Sequence, residues 1–257
     1  MIVLALAAVF AAALRIVSLA PALTEDLFAI GAGRQVVGVD AYSDAPAAAR
    51  RLPKVGSMNS VDVEAIVTLR PDLVIGIPYQ SPALSDVRRA GIATRILATD
   101  NIAGDLAAIA TLGTLTGHAG QAKGVVRAVS DSLRALAADA RRRPRLSALV
   151  LVGENPIYTA GAGSYLDDLL RLANLRNVAH GLRTPWPTYS EEALVRDQPD
   201  VLIVPKSNPP LTGAPWDRLR AVRLGRVVRI PDDELFRPGP YVARALHDVL
   251  DAVDRWR

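Results

Sequence analysis

The 257 residues contain no cysteine. Disulfides, thiolate metal sites and a cysteine nucleophile are therefore excluded within these residues, and a lipid anchor on an N-terminal cysteine is not expected. Histidine occurs three times, as His118, His180 and His247, in separate contexts and at no metal-ligand spacing. A first-row metal site drawing several histidines and carboxylates from the chain is not expected. Neither sign of charge dominates: Lys+Arg 30 against Asp+Glu 26 leaves +4, spread along the sequence. The one basic run, RRRPR at 141–145, has no interleaved aromatic residues and reads as a solvated helix end, so nucleic acid is not an expected partner. Catalytic signatures are missing as well: there is no G-x-S-x-G, no Walker lysine loop and no H-E-x-x-H. TAGAGS at 159–164 lacks the third glycine of a dinucleotide fingerprint and reads as a tight turn into a helix. His118 reads as a helix cap and His247 as a surface residue. One enzymatic alternative stays open, a hydrolase using Ser18 or Ser164 with His180 and an aspartate, although no strained nucleophile turn accompanies either serine.

What is present is a regular alternation. Ile2 to Leu14 form thirteen consecutive apolar residues, too short to span a bilayer and suited to a secretory signal over 1–14. No Lys or Arg precedes that run, which leaves a buried first strand as the other reading. From Arg15 onward, β-branched runs at 15–19, 36–39, 73–77 and 94–97 alternate with amphipathic stretches near 23–31, 62–69, 82–90 and 103–116. The pattern resumes with strands at 146–152, 201–204 and 227–230 and helices near 164–173, 191–197 and 240–256. Such alternation predicts βα units on mostly parallel sheets. Between the halves, 120–143 carries Val125, Val129, Leu133 and Leu136 at helical spacing and no proline until Pro144. About twenty helical residues span about 30 Å, enough to cross from one lobe to another. The expected architecture is an N-terminal α/β lobe (15–119), a bridging helix (120–143) and a C-terminal α/β lobe (144–257) that move little relative to each other.

A sentence is written twice: EAIVTLRPDLVI at 64–75 and EALVRDQPDVLIV at 192–204. Asp62 and Ser190 read as N-caps, with Glu64, Glu191 and Glu192 in the first turns, and Pro-Asp breaks the chain before a buried strand. A first-turn carboxylate gains about 0.3–1 kcal/mol from the helix dipole, which accounts for the glutamates without any partner. Aromatic residues make up only 5% of the chain, yet Tyr42, Tyr79, Tyr158 and Phe236 fall just past predicted strands, and Trp186 and Tyr189 share the loop TPWPTYS. Ligands of open α/β sheets bind at the carboxyl ends of the strands. Rings placed there suit a large, flat, partly apolar ligand; the plainer reading is that they pin the loops.

RIVSLAPALTEDLFAIGAGRQVVGVDAYSDAP, EAIVTLRPDLVIG, the long helix and RTPWPTYSEEALVRDQPDVLIV together resemble the periplasmic cobalamin-binding proteins, within the group that also carries haem and ferric siderophores to ABC importers. The resemblance runs from Arg15 to the C-terminus, with AYSDAP and RTPWP pointing to the cobalamin member. It implies two Rossmann-like lobes joined by a single long helix, no catalysis, no cofactor beyond the transported corrinoid, and a periplasmic monomer that docks on an inner-membrane permease dimer. By position, Tyr42, Tyr158 and Trp186 match rings packed on the corrin, with Tyr79 on a neighbouring strand-end loop. Asp233 and Arg237 match residues that hydrogen-bond its amide periphery. Met58 stands where the family has a tryptophan; a thioether can still cover an apolar face. Glu64 and Glu192 match the glutamates that enter arginine pockets on the two permease copies. Haem or a ferric siderophore is the alternative ligand, with Tyr42, Tyr79, Tyr158 or His180 as the axial group for haem, and a sensor or scaffold that has lost transport is a third reading.

Overall fold

The computed structural model describes residues 14–256, so the apolar run read as a secretory signal lies almost wholly outside the described residues. In the first half, β1 (Ile16–Ser18) leads into α1 (Pro21–Ala29), β2 (Val36–Val39) and α2 (Ala47–Arg50). A hairpin of β3 (Gly56–Ser57) and β4 (Ser60–Val61) is followed by α3 (Val63–Thr68), β5 (Leu73–Gly76), α4 (Ser81–Arg89), β6 (Ala93–Ile96) and α5 (Ile102–Thr116). The sheet order is β2-β1-β5-β6, all parallel. After the long α6 (Ala119–Ala140) come β7 (Ser147–Glu154), β8 (Ile157–Thr159), α7 (Tyr165–Leu172), β9 (Arg176–Asn177) and α8 (Glu191–Asp197). The chain ends with β10 (Val201–Pro205), α9 (Arg220–Arg223), β11 (Val227–Ile230), α10 (Asp232–Leu235) and α11 (Val242–Asp254). This second sheet runs β11-β10-β7-β8, with β9 also on β7. β5 and β10 are buried at every position, as expected of parallel strands covered on both faces.

The predicted strands and helices are all present, and what the pattern missed is short. β3, β4, β8 and β9 are two or three residues long, below the length at which alternation registers. β8 runs antiparallel to β7, so the second sheet is mixed. α6 stops at Ala140, short of the predicted 143, because Arg143 turns back into the protein: its guanidinium bonds Asp254 at 2.9 and 2.7 Å and Asp139 at 2.6 Å. Arg141 and Arg142 are exposed, as a solvated helix end requires. His118 does not cap α6 with its side chain; Nδ1 lies 2.8 Å from the Thr116 carbonyl at the end of α5.

α6 belongs to both halves. Ala122, near its start, is buried with Leu23, Leu27, Ile109 and Leu112 of the first half. Val129, Leu133 and Ala140 are buried with Val150, Leu166, Leu246 and Val249 of the second. Val125 and Leu106 pack against both cores, so apolar contact is continuous along the helix.

The repeated sentence has a repeated structure. Asp62 accepts from the Ala65 amide at 2.9 Å and Ser190 from the Ala193 amide at 3.1 Å, so both predicted caps form and start helices of similar length. Each helix ends at a non-glycine residue with positive φ, Arg70 at 47° and Gln198 at 41°, directly before the Pro-Asp dipeptide. Each aspartate then clamps the start of a neighbouring strand. Asp72 Oδ2 accepts the Arg15 amide at 2.7 Å beside β1, and Asp200 Oδ2 accepts the Ser147 amide at 2.9 Å at the head of β7. Burial works against the Asp200 charge, but the Ser147 hydrogen bonds outweigh it and hold its carboxyl below the ordinary value. Because these bonds are charge-assisted, Asp200→Ala is expected to lower unfolding stability by about 1–3 kcal/mol, measured by urea denaturation at neutral pH.

Candidate ligand-binding cleft

In the first half, three loops at the carboxyl ends of the sheet carry the predicted residues. The loop after β2 is fixed at almost every position. Asp40 accepts the Tyr42 amide at 3.0 Å and bonds the Ser43 hydroxyl, Thr24 Oγ1 lies 2.9 Å from Ser43 Oγ, and Lys54 donates to the Ser43 carbonyl at 2.6 Å. The Ala41 amide donates to Gly56 at 2.7 Å, joining this loop to the β3–β4 hairpin that bears Met58. The Tyr79 hydroxyl reaches Asn59 Oδ1 at 3.0 Å, joining the loop after β5 to the same hairpin. Tyr42, Met58 and Tyr79 are thus on adjoining loops, yet they are 64%, 42% and 65% exposed. The rings of Tyr42 and Tyr79 and the Met58 thioether are open to solvent, and only the Tyr79 hydroxyl is tied down, by Asn59.

The second half repeats the arrangement with a different device. Residues 182–189 run beside β8: the Thr159 amide donates to Pro187 and the Gly161 amide to Pro185, both at 3.0 Å, and Tyr158 pairs with Thr188. A Cβ on Gly161 would meet the Thr184 carbonyl oxygen at 2.2 Å, so this close approach requires glycine. Tyr158 and Trp186 are brought together on one surface and remain 42% and 38% exposed. The Trp186 ring meets Tyr165 edge-on at 5.6 Å.

Not every aromatic residue serves this surface. Tyr165, Tyr189 and Trp216 are buried, so rings also fill the cores. Tyr189 pins its loop, its hydroxyl bonding Asp197; burial first and then Asp197 push that phenol up. Phe236 packs against the second core. Asp233 is exposed in α10. Arg237, two residues past that helix, reaches the other half: its Nη1 lies 2.7 Å from Asp44 Oδ1 and 3.1 Å from Glu25 Oε1, and its Nη2 donates to the Tyr42 carbonyl at 3.1 Å. Two more bonds join the halves, Tyr165 N to the Asp100 carbonyl and Ile102 N to Asp168 Oδ2.

The serine alternative finds no geometry. Ser18 is buried and bonded to Thr24 and Ala20; Ser164 caps α7 through the Asp167 amide and donates to Gly161. His180 is held instead by Asp167 at 3.0 Å, on a cavity of about 460 Å³ lined also by Arg145, Arg171 and Arg176. His247 is exposed beside Asp248 and Asp251. Among the described residues no cluster could hold a metal ion, and no helix is long and apolar enough to cross a membrane.

A group that sequence reading passed over lies beneath the contact. Asp26 of α1 and Asp105 of α5 are buried with carboxylate oxygens that have no hydrogen-bond partner among the described residues. The signal was visible, acids written into two helices that are otherwise largely apolar, the pair Glu25-Asp26 in LTEDLFAI and Asp105 alone in IAGDLAAIATL. Burial, then the charges of Asp105 and Glu25, raise the Asp26 carboxyl well above its ordinary value; burial and Glu25 push Asp105 up to about 7.

Two α/β lobes threaded by one helix, with exposed rings at the strand ends of each, are the architecture of a substrate-binding protein. The chain belongs to the periplasmic binding protein family, whose model matches residues 16–234; its members bind small molecules and deliver them to a transporter. A vitamin B12-binding protein of Yersinia pestis (strain Pestoides F) is 31% identical over 198 residues, 75% of this chain and 70% of that one. The crystal structure of the periplasmic vitamin B12 binding protein BtuF of Vibrio cholerae superposes with a TM-score of 0.83 at 26% identity, covering 94% of this chain and 96% of that one. The periplasmic heme-binding protein RhuT from Roseiflexus sp. RS-1 follows at 0.80 and 27%, covering 94% and 99%.

The buried acids give the protein a pH signature. Unfolded, both titrate near 4; folded, Asp105 does so near 7 and Asp26 is also raised. The native state therefore holds protons that the unfolded chain releases between about pH 4 and 7, and the stability this pair contributes falls as pH rises through that window. Asp105→Asn is expected to raise the thermal midpoint at pH 8 by several degrees and to change it little at pH 5, measured by calorimetry.

Proposed function

We propose that this chain is an exported carrier that captures cobalamin or a related corrinoid between its lobes and hands it to an ABC importer in the inner membrane. The observation that carries this reading is the set of exposed side chains on both lobes, Tyr42, Met58 and Tyr79 on the strand-end loops and hairpin of one, and Tyr158 on the edge strand β8 and Trp186 on the loop beside it on the other. Large, accessible rings on stiff loops suit the two faces of a flat macrocycle. Asp233 and Arg237 supply acceptor and donor groups for its amide rim. The lobes 15–119 and 144–257, with the helix between them, act as one binding unit, and residues 1–14 direct it to the periplasm. The vitamin B12-binding relatives named above support the choice of ligand.

Haem is the second reading, favoured by two observations: Met58 replaces a flat ring with a thioether, and the phenol hydroxyls of Tyr42 and Tyr158 have no partner among the described residues. Titrating residues 15–257 with cyanocobalamin, with hemin in parallel, separates the two. The expected result is a one-to-one corrinoid isotherm, weakened about ten- to thirtyfold by Tyr42→Ala or Trp186→Ala. Tight hemin binding with a shifted absorption band and no corrinoid response would give the site to haem.

Glu64 and Glu192 are exposed at matching positions of α3 and α8, one on each lobe. Two carboxylates so placed suit a partner made of two identical subunits. Reversing both to arginine is expected to abolish uptake of labelled ligand through the cognate permease in proteoliposomes while leaving ligand affinity unchanged. Unaltered uptake would remove them from the docking surface.

A further inference from the structure

One unbroken series of contacts joins the two aromatic surfaces. Trp186 rests edge-on against Tyr165. The buried Tyr165 hydroxyl donates to the Leu235 carbonyl at 2.7 Å, at the end of α10. Two residues further, the Arg237 guanidinium crosses to the first lobe, where it holds the Tyr42 carbonyl directly and the same loop again through Asp44. Glu25 on α1 completes the set, and only 14% of the Arg237 side chain and 7% of that of Glu25 are exposed.

We propose that Arg237 is a positioning residue: together with Tyr165 it brackets the lobes so that the Tyr42 and Trp186 surfaces are set at their working separation before a ligand arrives. This rests on the reading of the cleft as the ligand site. Three features of the bracket suit the role. Arginine presents fixed, diverging donors, and here they meet three acceptors on two separate elements, α1 and the loop after β2. The carboxylates that receive it are not spare: burial raises the Glu25 carboxyl, and the Arg237 hydrogen bond and charge oppose that rise, so removing the arginine strands a buried acid. The loop it grips has no slack, being pinned from within the first lobe by Asp40, Thr24 and Lys54. Gly239, just beyond, passes over Asp26 with φ of 149°, so the segment after Arg237 is itself seated on the first lobe. A carrier whose lobes are already spaced does not divide its affinity by the small fraction of molecules that happen to be correctly arranged.

The absence of cysteine makes the test direct. Arg51→Cys and Arg183→Cys, on exposed residues of opposite lobes, accept a pair of spin labels. Pulsed dipolar spectroscopy of this pair without added ligand should give a narrow distance distribution that Arg237→Gln broadens. Tyr165→Phe, which removes one hydroxyl and retains the packed ring, should broaden it to a lesser degree. Both variants should weaken cyanocobalamin binding, Arg237→Gln by about tenfold if the arranged fraction falls to one in ten. Distributions superimposable on the unsubstituted pair would overturn the bracket even if affinity fell, because Arg237 would then act as a ligand contact alone. The distance measurement needs no ligand, so a protein that bound no corrinoid would defeat the functional reading and still leave the bracket open to this test.

Discussion

A single 22-residue helix shares its apolar face between two hydrophobic cores, and the position of every cleft residue depends on that division. Ala122 is committed to the first core and Leu133 and Ala140 to the second, while Val125 touches both. Burial of each end resists sliding or rotation, because moving either lobe along the helix exposes apolar surface at about 25 cal/mol per Å². Arg143 adds a polar stop, bonding the helix end to Asp254 of α11. A linker of this kind differs from a Gly/Ser tether, which would leave lobe separation to chance. The lobes can therefore carry complementary halves of one binding surface.

Each lobe solves the same local problem by the same means. A short capped helix must turn sharply into a buried strand, and the turn must also hold the next strand in register. The residue before Pro-Asp takes up a left-handed backbone, and the aspartate clamps the head of a parallel neighbour, in both lobes alike. The same unit leaves a glutamate exposed at the second helical position on each lobe, Glu64 and Glu192, the latter beside an exposed Glu191. An internally repeated structure thus places a repeated charge on the outside, where a two-subunit partner could meet it. Loops on the cleft side carry no such repetition: a β-hairpin supports Met58, whereas the close pairing of residues 182–189 with β8 supports Trp186.

Much of this was legible in the sequence because it is local. Alternating apolar periodicity identified the long strands and helices, and Asp62 and Ser190 announced their helices by residue type and position. The locations of Tyr42 and Tyr79 followed from counting past strand ends, whereas Tyr158, expected just past a strand, lies within the short β8. Illegible were β3, β4, β8 and β9, too short for any period, and the contacts made at a distance. Arg237 and Glu25 are 212 residues apart, and no spacing rule connects them. Asp26 and Asp105 were legible in principle, as charges written into apolar helices, but only the packing of α1 on α5 shows that they share one buried site. The buried Tyr165, Tyr189 and Trp216 show the converse limit, since composition cannot tell a ring that faces solvent from one that fills a core.

The length of α6 also gives the molecule a mechanical character. Twenty-two residues at 1.5 Å each make a beam of about 33 Å, and a bend of about 5° at its middle carries an end about 1.4 Å sideways. The hydrogen bonds from Arg237 to Glu25 and Tyr42 are 3.1 Å long and would not survive such a displacement. A stiff beam joined to a short-range catch behaves as a snap fastener: small flexures store energy without altering the cleft, and larger ones release it at once. A flexure of about 5° is thus the margin within which the catch holds both lobes at one spacing.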